Sequence, residues 1–173
     1  MKKIVWISSY PKSGNTFLRA MLSAFFYSKD GTFKQDYLKN ISEFPRDFFD
    51  FKPKNNFLNE VKEYEKVQKK ISSTNKEVIF LKTHSANLII NETFPTINKD
   101  FTVCSIYIVR DPRNVILSLK NHYNLDIKKS LSLLTNDKNF ISMNKKDLSK
   151  GYTLILDWAS NYLSWKNQKN INT

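Results

Sequence analysis

The stretch that most restricts the fold comes at the start of the chain. A short apolar run over residues 3–8 leads through SYPKSGNT directly into an apolar-periodic segment, NTFLRAML. The run is β-branched and aromatic, the composition of a buried strand. Leu18, Met21, Leu22 and Phe25 recur at i, i+3, i+4 and i+7, which predicts a helix from Asn15 to about Ser28 with a wide apolar face. A strand that turns straight into a helix leaves unpaired N–H groups and the positive end of the helix dipole at the turn. A phosphate fits there. Gly14 permits close backbone approach, Lys12 brings a mobile cation, and Ser13 and Thr16 bring hydroxyls. The triphosphatase pattern G-x-x-x-x-G-K-[ST] needs a Gly before its Lys. Here the Lys comes first, so the loop predicts a phosphate ligand without that motif.

Two further segments repeat the theme. EVIFL (77–81) reads as a strand and runs into KTH, and FTVCSIYIV (101–109) reads as a strand ending in RDP. A helix follows over 112–123, with Asp111 as N-cap and Pro112 at its first position. Strands separated by helices imply parallel pairing through crossovers, so the expected class is α/β: a parallel sheet flanked by helices, P-loop-like, in a single domain. Ligands of such sheets bind beyond the carboxyl ends of the strands. All three polar clusters fall at such ends.

The remaining segments are less telling. Residues 31–56 are irregular, with an aromatic cluster of Phe44, Phe48, Phe49 and Phe51 that suits either an apolar acceptor or plain core. A polar helix is expected over 58–71, a loop with short helical turns over 85–100, and helices over 125–134 and 146–168. In the last, Leu154, Trp158, Tyr162 and Trp165 form an apolar stripe read as core packing.

With these residues in view, SYPKSGNTFLRAML resembles the 5′-phosphosulfate loop of the sulfotransferase family, usually written YPKSGTTW. Tyr10, Pro11, Lys12, Ser13, Gly14 and Thr16 match it, while Asn15 stands where Thr is usual and Phe17 where Trp is usual. IYIVRDPRNVILSLKNHY resembles the family's 3′-phosphate segment, in which Arg110 and Ser118 match the two phosphate-holding residues. The geometry agrees without the family: Ser118 lies seven residues after Asp111, two helical turns on, and so shares a side with the helix start. An Arg fork there is suited to phosphate. Arg113 reads as a helix-surface charge.

The resemblance implies a co-substrate, 3′-phosphoadenosine 5′-phosphosulfate (PAPS), and in-line transfer of its sulfuryl group to a hydroxyl acceptor. It assigns His84, in K-T-H, as the general base, Lys82 as a cation near the transferring group, and Lys12 as the cation facing the leaving phosphate. Ser13, Gly14, Asn15 and Thr16 would cradle the phosphosulfate, and Phe17 would stack on adenine. His suits the base role because its ordinary pKa lies near neutrality. His122 has no such context. No metal is implied. Other readings are a PAPS-binding module without catalysis and a nucleotide kinase. The kinase is disfavoured by the misplaced Gly and by the lack of an Asp at the inner positions of the third strand.

Composition narrows the partners. The net charge is +12, but only four of the 28 basic residues are Arg and the lysines are scattered, so no nucleic-acid partner is expected. The single cysteine, Cys104, excludes an intramolecular disulfide and reads as a buried strand residue. No segment approaches the length of a membrane span, and the apolar run at the N-terminus is too short for a signal peptide, so the expected compartment is the cytoplasm. The acceptor, a small molecule or glycan, is not named by the sequence. The resemblance runs to DWASNYLSWKN, whereas the family pattern continues into a Y-E-D strand and a basic Gly-containing segment. The expectation is therefore an N-terminal core whose last helix has an exposed apolar face prone to self-association.

Overall fold

The computed structural model describes residues 1–48, 57–142, 152–168, 171 and 173. Its elements are β1 (Ile4–Ser9), α1 (Asn15–Tyr27), β2 (Ser42–Glu43), α2 (Phe57–Ser72), β3 (Ile79–Thr83), β4 (Ile89–Ile90), β5 (Phe94–Pro95), β6 (Thr102–Ile108), α3 (Pro112–Tyr123), α4 (Ile127–Thr135), β7 (Phe140–Ser142), β8 (Tyr152–Leu154) and α5 (Trp158–Lys166). The principal sheet has the order β2-β3-β1-β6 and is parallel throughout. This is the α/β architecture the sequence implies, a parallel sheet flanked by helices.

β1 lies at the centre, and all six of its residues are buried. That explains its unbroken apolar character: a strand covered on both faces has no reason to alternate. Trp6 carries the main core on one face, packing edge-on against Phe44 at 5.3 Å between ring centroids, and its indole N–H donates to Thr102 Oγ1 at 3.0 Å. Ile4, Val61, Tyr64, Leu81, Ile97 and Trp165 complete that cluster. A second cluster forms around Tyr10, Val115, Leu119, Leu134 and Ile155, joining α3 and α4 to the loop after β1. The register aligns the strand ends: Ser8 faces Thr83 across β1–β3, and Ser9 faces Ile108 across β1–β6.

Several expectations are corrected. Residues 152–168 are not one helix. Tyr152–Leu154 pairs antiparallel with Phe140–Ser142, and the helix begins only at Trp158, where Asp157 Oδ1 accepts from Ser160 N–H at 2.9 Å. Leu156, at φ 63°, turns the chain between the two. Residues 146–151, the start of the expected helix, lie outside the described residues. The 85–100 segment holds a β4–β5 hairpin instead of helical turns; Asn91 and Glu92 both take positive φ, as a primed turn requires. Cys104 is half-buried because β6 is an edge strand of the described sheet. The stripe on the last helix is not exposed as a whole. Trp165 is fully buried, and Tyr162 packs on Tyr107 at 5.7 Å. The exposed apolar face belongs to α1 instead, where Phe17, Met21 and Phe25 stand in a row. Phe44 and Phe48 join the core; Phe49 and Phe51 lie outside the described residues. Among the described residues no helix is long and apolar enough to cross a membrane.

Candidate active site

The three strand ends open into one cleft of about 410 Å³. Its floor is the loop after β1. Lys12 adopts φ 66° and Gly14 φ 105°, so the backbone curls through the left-handed region twice before α1 begins. For Lys12 that conformation carries a strain that Gly14 does not incur. Gly14 caps α1 without a side-chain bond, and the first turn has no acidic residue. Gly14 O already accepts from the Phe17 and Leu18 amides at 3.0 and 3.2 Å, so the amides of Asn15 and Thr16, at the positive end of the dipole, are those suited to an anion. Gly14 is also the residue that a side chain would most disturb, through its φ rather than through crowding: the nearest atom to an added Cβ is Ile108 Cγ2, at 4.0 Å.

Lys12, Gly14, Asn15, Thr16, Lys82, His84, Arg110 and Ser118 all line this cleft. Eight of the ten candidate residues therefore surround a single space. Ser13 and Phe17 do not line it. Ser13 is buried, and its Oγ has no hydrogen-bond partner among the described residues. Phe17 is 72% exposed and belongs to a separate apolar groove along α1 with Met21, Phe25 and Phe33. Asn15 lines the cleft, but its side chain turns inward. Its Nδ2 donates to Ile7 O at 3.1 Å and to Ser9 Oγ at 3.2 Å, which fastens the start of α1 to the end of β1.

Arg110 sits just past β6 and donates from Nη1 to Lys12 O at 3.0 Å, tying the two phosphate-suited segments together. Asp111 caps α3 by accepting from Arg113 N–H at 2.9 Å, and the Arg113 guanidinium grips the same carboxylate, holding its pKa down at about 2. Arg113 is thus a surface partner of the cap. Ser118, two turns into α3, faces the cleft with Arg110.

His84 follows β3 immediately. Its Nδ1 lies 2.8 Å from Ser9 O, an atom that only accepts, so Nδ1 carries the proton and Nε2 is left as the ring's acceptor. Burial, followed by Lys82, lowers its pKa, as do Arg19 and Lys12 more weakly; the bond to Ser9 opposes them, and the balance lies at about 3. The ring is therefore neutral near pH 7. Its backbone is held by α5: Asn161 Nδ2 donates to His84 O at 3.1 Å and to Ile155 O at 2.7 Å, while Asn161 Oδ1 accepts from Tyr107. Trp165 Nε1 donates to the next carbonyl, Ser85 O, at 3.0 Å.

The cleft also contains residues that sequence reasoning did not select: Glu43, His122, Tyr123 and Thr153. Glu43 pairs with Lys82 at 2.6 Å, with side chains 9% and 10% exposed, because the two are direct partners across the β2–β3 register. His122 had a legible signal, being four residues after Ser118 and so on the same helix face. Glu43 and Thr153 had none, since both come from strands too short to announce themselves.

The family model described as "Sulfotransferase domain" matches residues 2–172. No individual curated protein matches the chain.

Proposed function

From the premise that this chain belongs to the sulfotransferase domain family, we propose that it transfers a sulfuryl group from PAPS to a neutral hydroxyl acceptor. The observation that carries this reading is the meeting of a phosphate-suited loop, a neutral histidine and the Arg110–Ser118 pair around one cleft. The residues present fit such a co-substrate. The uncapped first turn of α1 suits the phosphosulfate end, the buried Ser13 hydroxyl has no hydrogen-bond partner among the described residues, and Arg110 with Ser118 suits a second phosphate.

The bound nucleotide would supply the electrophilic sulfur and the leaving phosphate. Lys12 then stands where a cation offsets charge growing on that phosphate, as cations do in phosphoryl transfer. Nε2 of His84 takes the proton of the acceptor hydroxyl. An anion bound beside Lys12 offsets a positive neighbour of His84 and so raises its pKa towards the range of an effective base. Lys82, held by Glu43, keeps a cation beside the imidazole without itself facing an unbalanced site.

Adenosine 3′,5′-bisphosphate tests the donor site without an acceptor. It should raise the Tm of the wild type, with no requirement for magnesium, and Lys12→Ala and Arg110→Ala should each shrink the shift. No shift at millimolar bisphosphate, or a preference for magnesium-ATP, would overturn the reading.

A further inference from the structure

Asn15 joins the anion-suited loop to the histidine. Its main-chain N–H stands at the first position of α1, while its side chain is buried beneath the loop. Ile7 O can only accept, so the amide nitrogen of Asn15, not its oxygen, is the atom that faces it at 3.1 Å. The second hydrogen of the same nitrogen goes to Ser9 Oγ at 3.2 Å. Both donor positions of the side chain are then occupied. Asn15 Oδ1 is buried with no hydrogen-bond partner among the described residues, so the amide is placed to serve its donors at the acceptor's expense.

Ser9 is the buried link between that amide and the ring. Its carbonyl lies 2.8 Å from His84 Nδ1 and its hydroxyl oxygen 3.3 Å from the same atom. Nδ1–H therefore donates to Ser9 O, with Ser9 Oγ beside it as a second acceptor. The Asn15 N–H holds Ser9 Oγ in that place. Asn161 secures the main chain of His84 from the side of α5, but only Ser9 touches the ring nitrogen. The bond made at Nδ1 decides which tautomer the imidazole adopts, and so leaves Nε2 bare.

We propose that Asn15 is a positioning residue for His84: through Ser9 its side chain fixes the tautomer and direction of the ring, so that Nε2 is presented to the acceptor hydroxyl. The proposal rests on the sulfuryl-transfer reading above. It goes beyond that reading in assigning the Asn15 side chain to the base, while the Asn15 main-chain N–H serves the donor phosphate. One residue thus sets the donor loop and the base relative to each other. The alignment matters, because a displacement of about 1 Å at a reacting group costs roughly 10²-fold in rate.

The test is nitrogen NMR of the whole chain with isotope-labelled histidine near neutral pH, where the ring is uncharged and its signals report the tautomer. The His84 signals are those lost in His84→Asn. Wild type should show a single tautomer, protonated on Nδ1, and Asn15→Ala should show a mixture of both. Bisphosphate affinity by calorimetry should stay within about twofold in Asn15→Ala, since the main-chain N–H remains. Sulfuryl transfer from labelled PAPS to hydroxyl acceptors should fall by roughly 10²-fold in the same variant. Ser9→Ala keeps the carbonyl and removes the linking oxygen; it should move the spectrum in the same direction and covers the case in which Asn15→Ala fails to fold. A single Nδ1-protonated tautomer in both variants overturns the proposal, as does a wild-type ring protonated on Nε2. So does a loss of about tenfold or more in bisphosphate affinity in Asn15→Ala, which would return the side chain to the phosphate. No bisphosphate binding by the wild type, or transfer undiminished in His84→Ala, would instead remove the sulfuryl-transfer reading; the tautomer spectra depend on neither.

Discussion

Lys82→Met should destabilise the protein far more than Lys82→Met and Glu43→Gln together. The two charged atoms are 2.6 Å apart with both side chains about nine-tenths buried. At an effective dielectric of about 20, a pair at that distance attracts by roughly 6 kcal/mol. Desolvation offsets much of this, so the pair adds little net stability over an uncharged pair of similar volume. Removing one partner is different, because it strands the other charge in the interior at a cost of about 3–5 kcal/mol. At roughly 2–4 °C per kcal/mol for a chain of this size, Tm should fall by about 6–20 °C in Lys82→Met. The double variant should recover most of that loss, so the double-mutant cycle should give a coupling energy at or above the upper end of the roughly 0.5–3 kcal/mol found for contacting pairs. Chemical denaturation at pH 7 measures all four species. Additive losses, with a coupling near zero, would refute the idea that the two charges depend on each other.

Three other outcomes follow from named contacts. Because His84 titrates at about 3 in the folded chain against 6.5 ordinarily, the unfolded chain binds the extra proton between those values. Stability from this group is thus complete above pH 6.5 and declines as pH falls towards 3. The difference in unfolding free energy between wild type and His84→Asn should therefore rise with pH across that window and then level off; a difference independent of pH would show that His84 is not held neutral. Arg110→Lys keeps the charge but loses the fork and the bond to Lys12 O, and should weaken bisphosphate binding roughly tenfold by calorimetry. Equal affinity would mean that charge alone suffices. Asn161→Ala orphans His84 O, Ile155 O and the Tyr107 hydroxyl, and should lower Tm by roughly 10 °C, with turnover falling further than stability alone explains. A Tm within a degree of wild type would mean that α5 does not hold the His84 segment.

The sequence displays the part of this fold that each strand carries within itself. β1, β3 and β6 are apolar runs ending in polar clusters, and α1 and α3 follow with clear periodicity, so the sheet and eight cleft residues were readable. What escaped was set by pairing between distant segments. β8 is three residues long and exists through Phe140–Ser142, so Thr153 looked like part of a helix. β2 is two residues long and exists through β3, so Glu43 looked like a loop acid. Asn15 is ambiguous for another reason. Its amide suits phosphate as well as backbone, and the sequence does not show the Ile7 carbonyl to which its Nδ2 donates. His122 could have been found by applying to it the helical spacing that identified Ser118.

The most direct test of the central claim is transfer of labelled sulfur. The chain is incubated with sulfur-labelled PAPS and a set of neutral polyols, phenols and alcohols, and the label is followed into the acceptor as adenosine 3′,5′-bisphosphate accumulates. Label should pass to a hydroxyl in step with bisphosphate release, and His84→Ala should slow the transfer by about 10²–10⁴-fold. Tight bisphosphate binding without labelled product from any hydroxyl acceptor, or transfer undiminished in His84→Ala, would contradict the account.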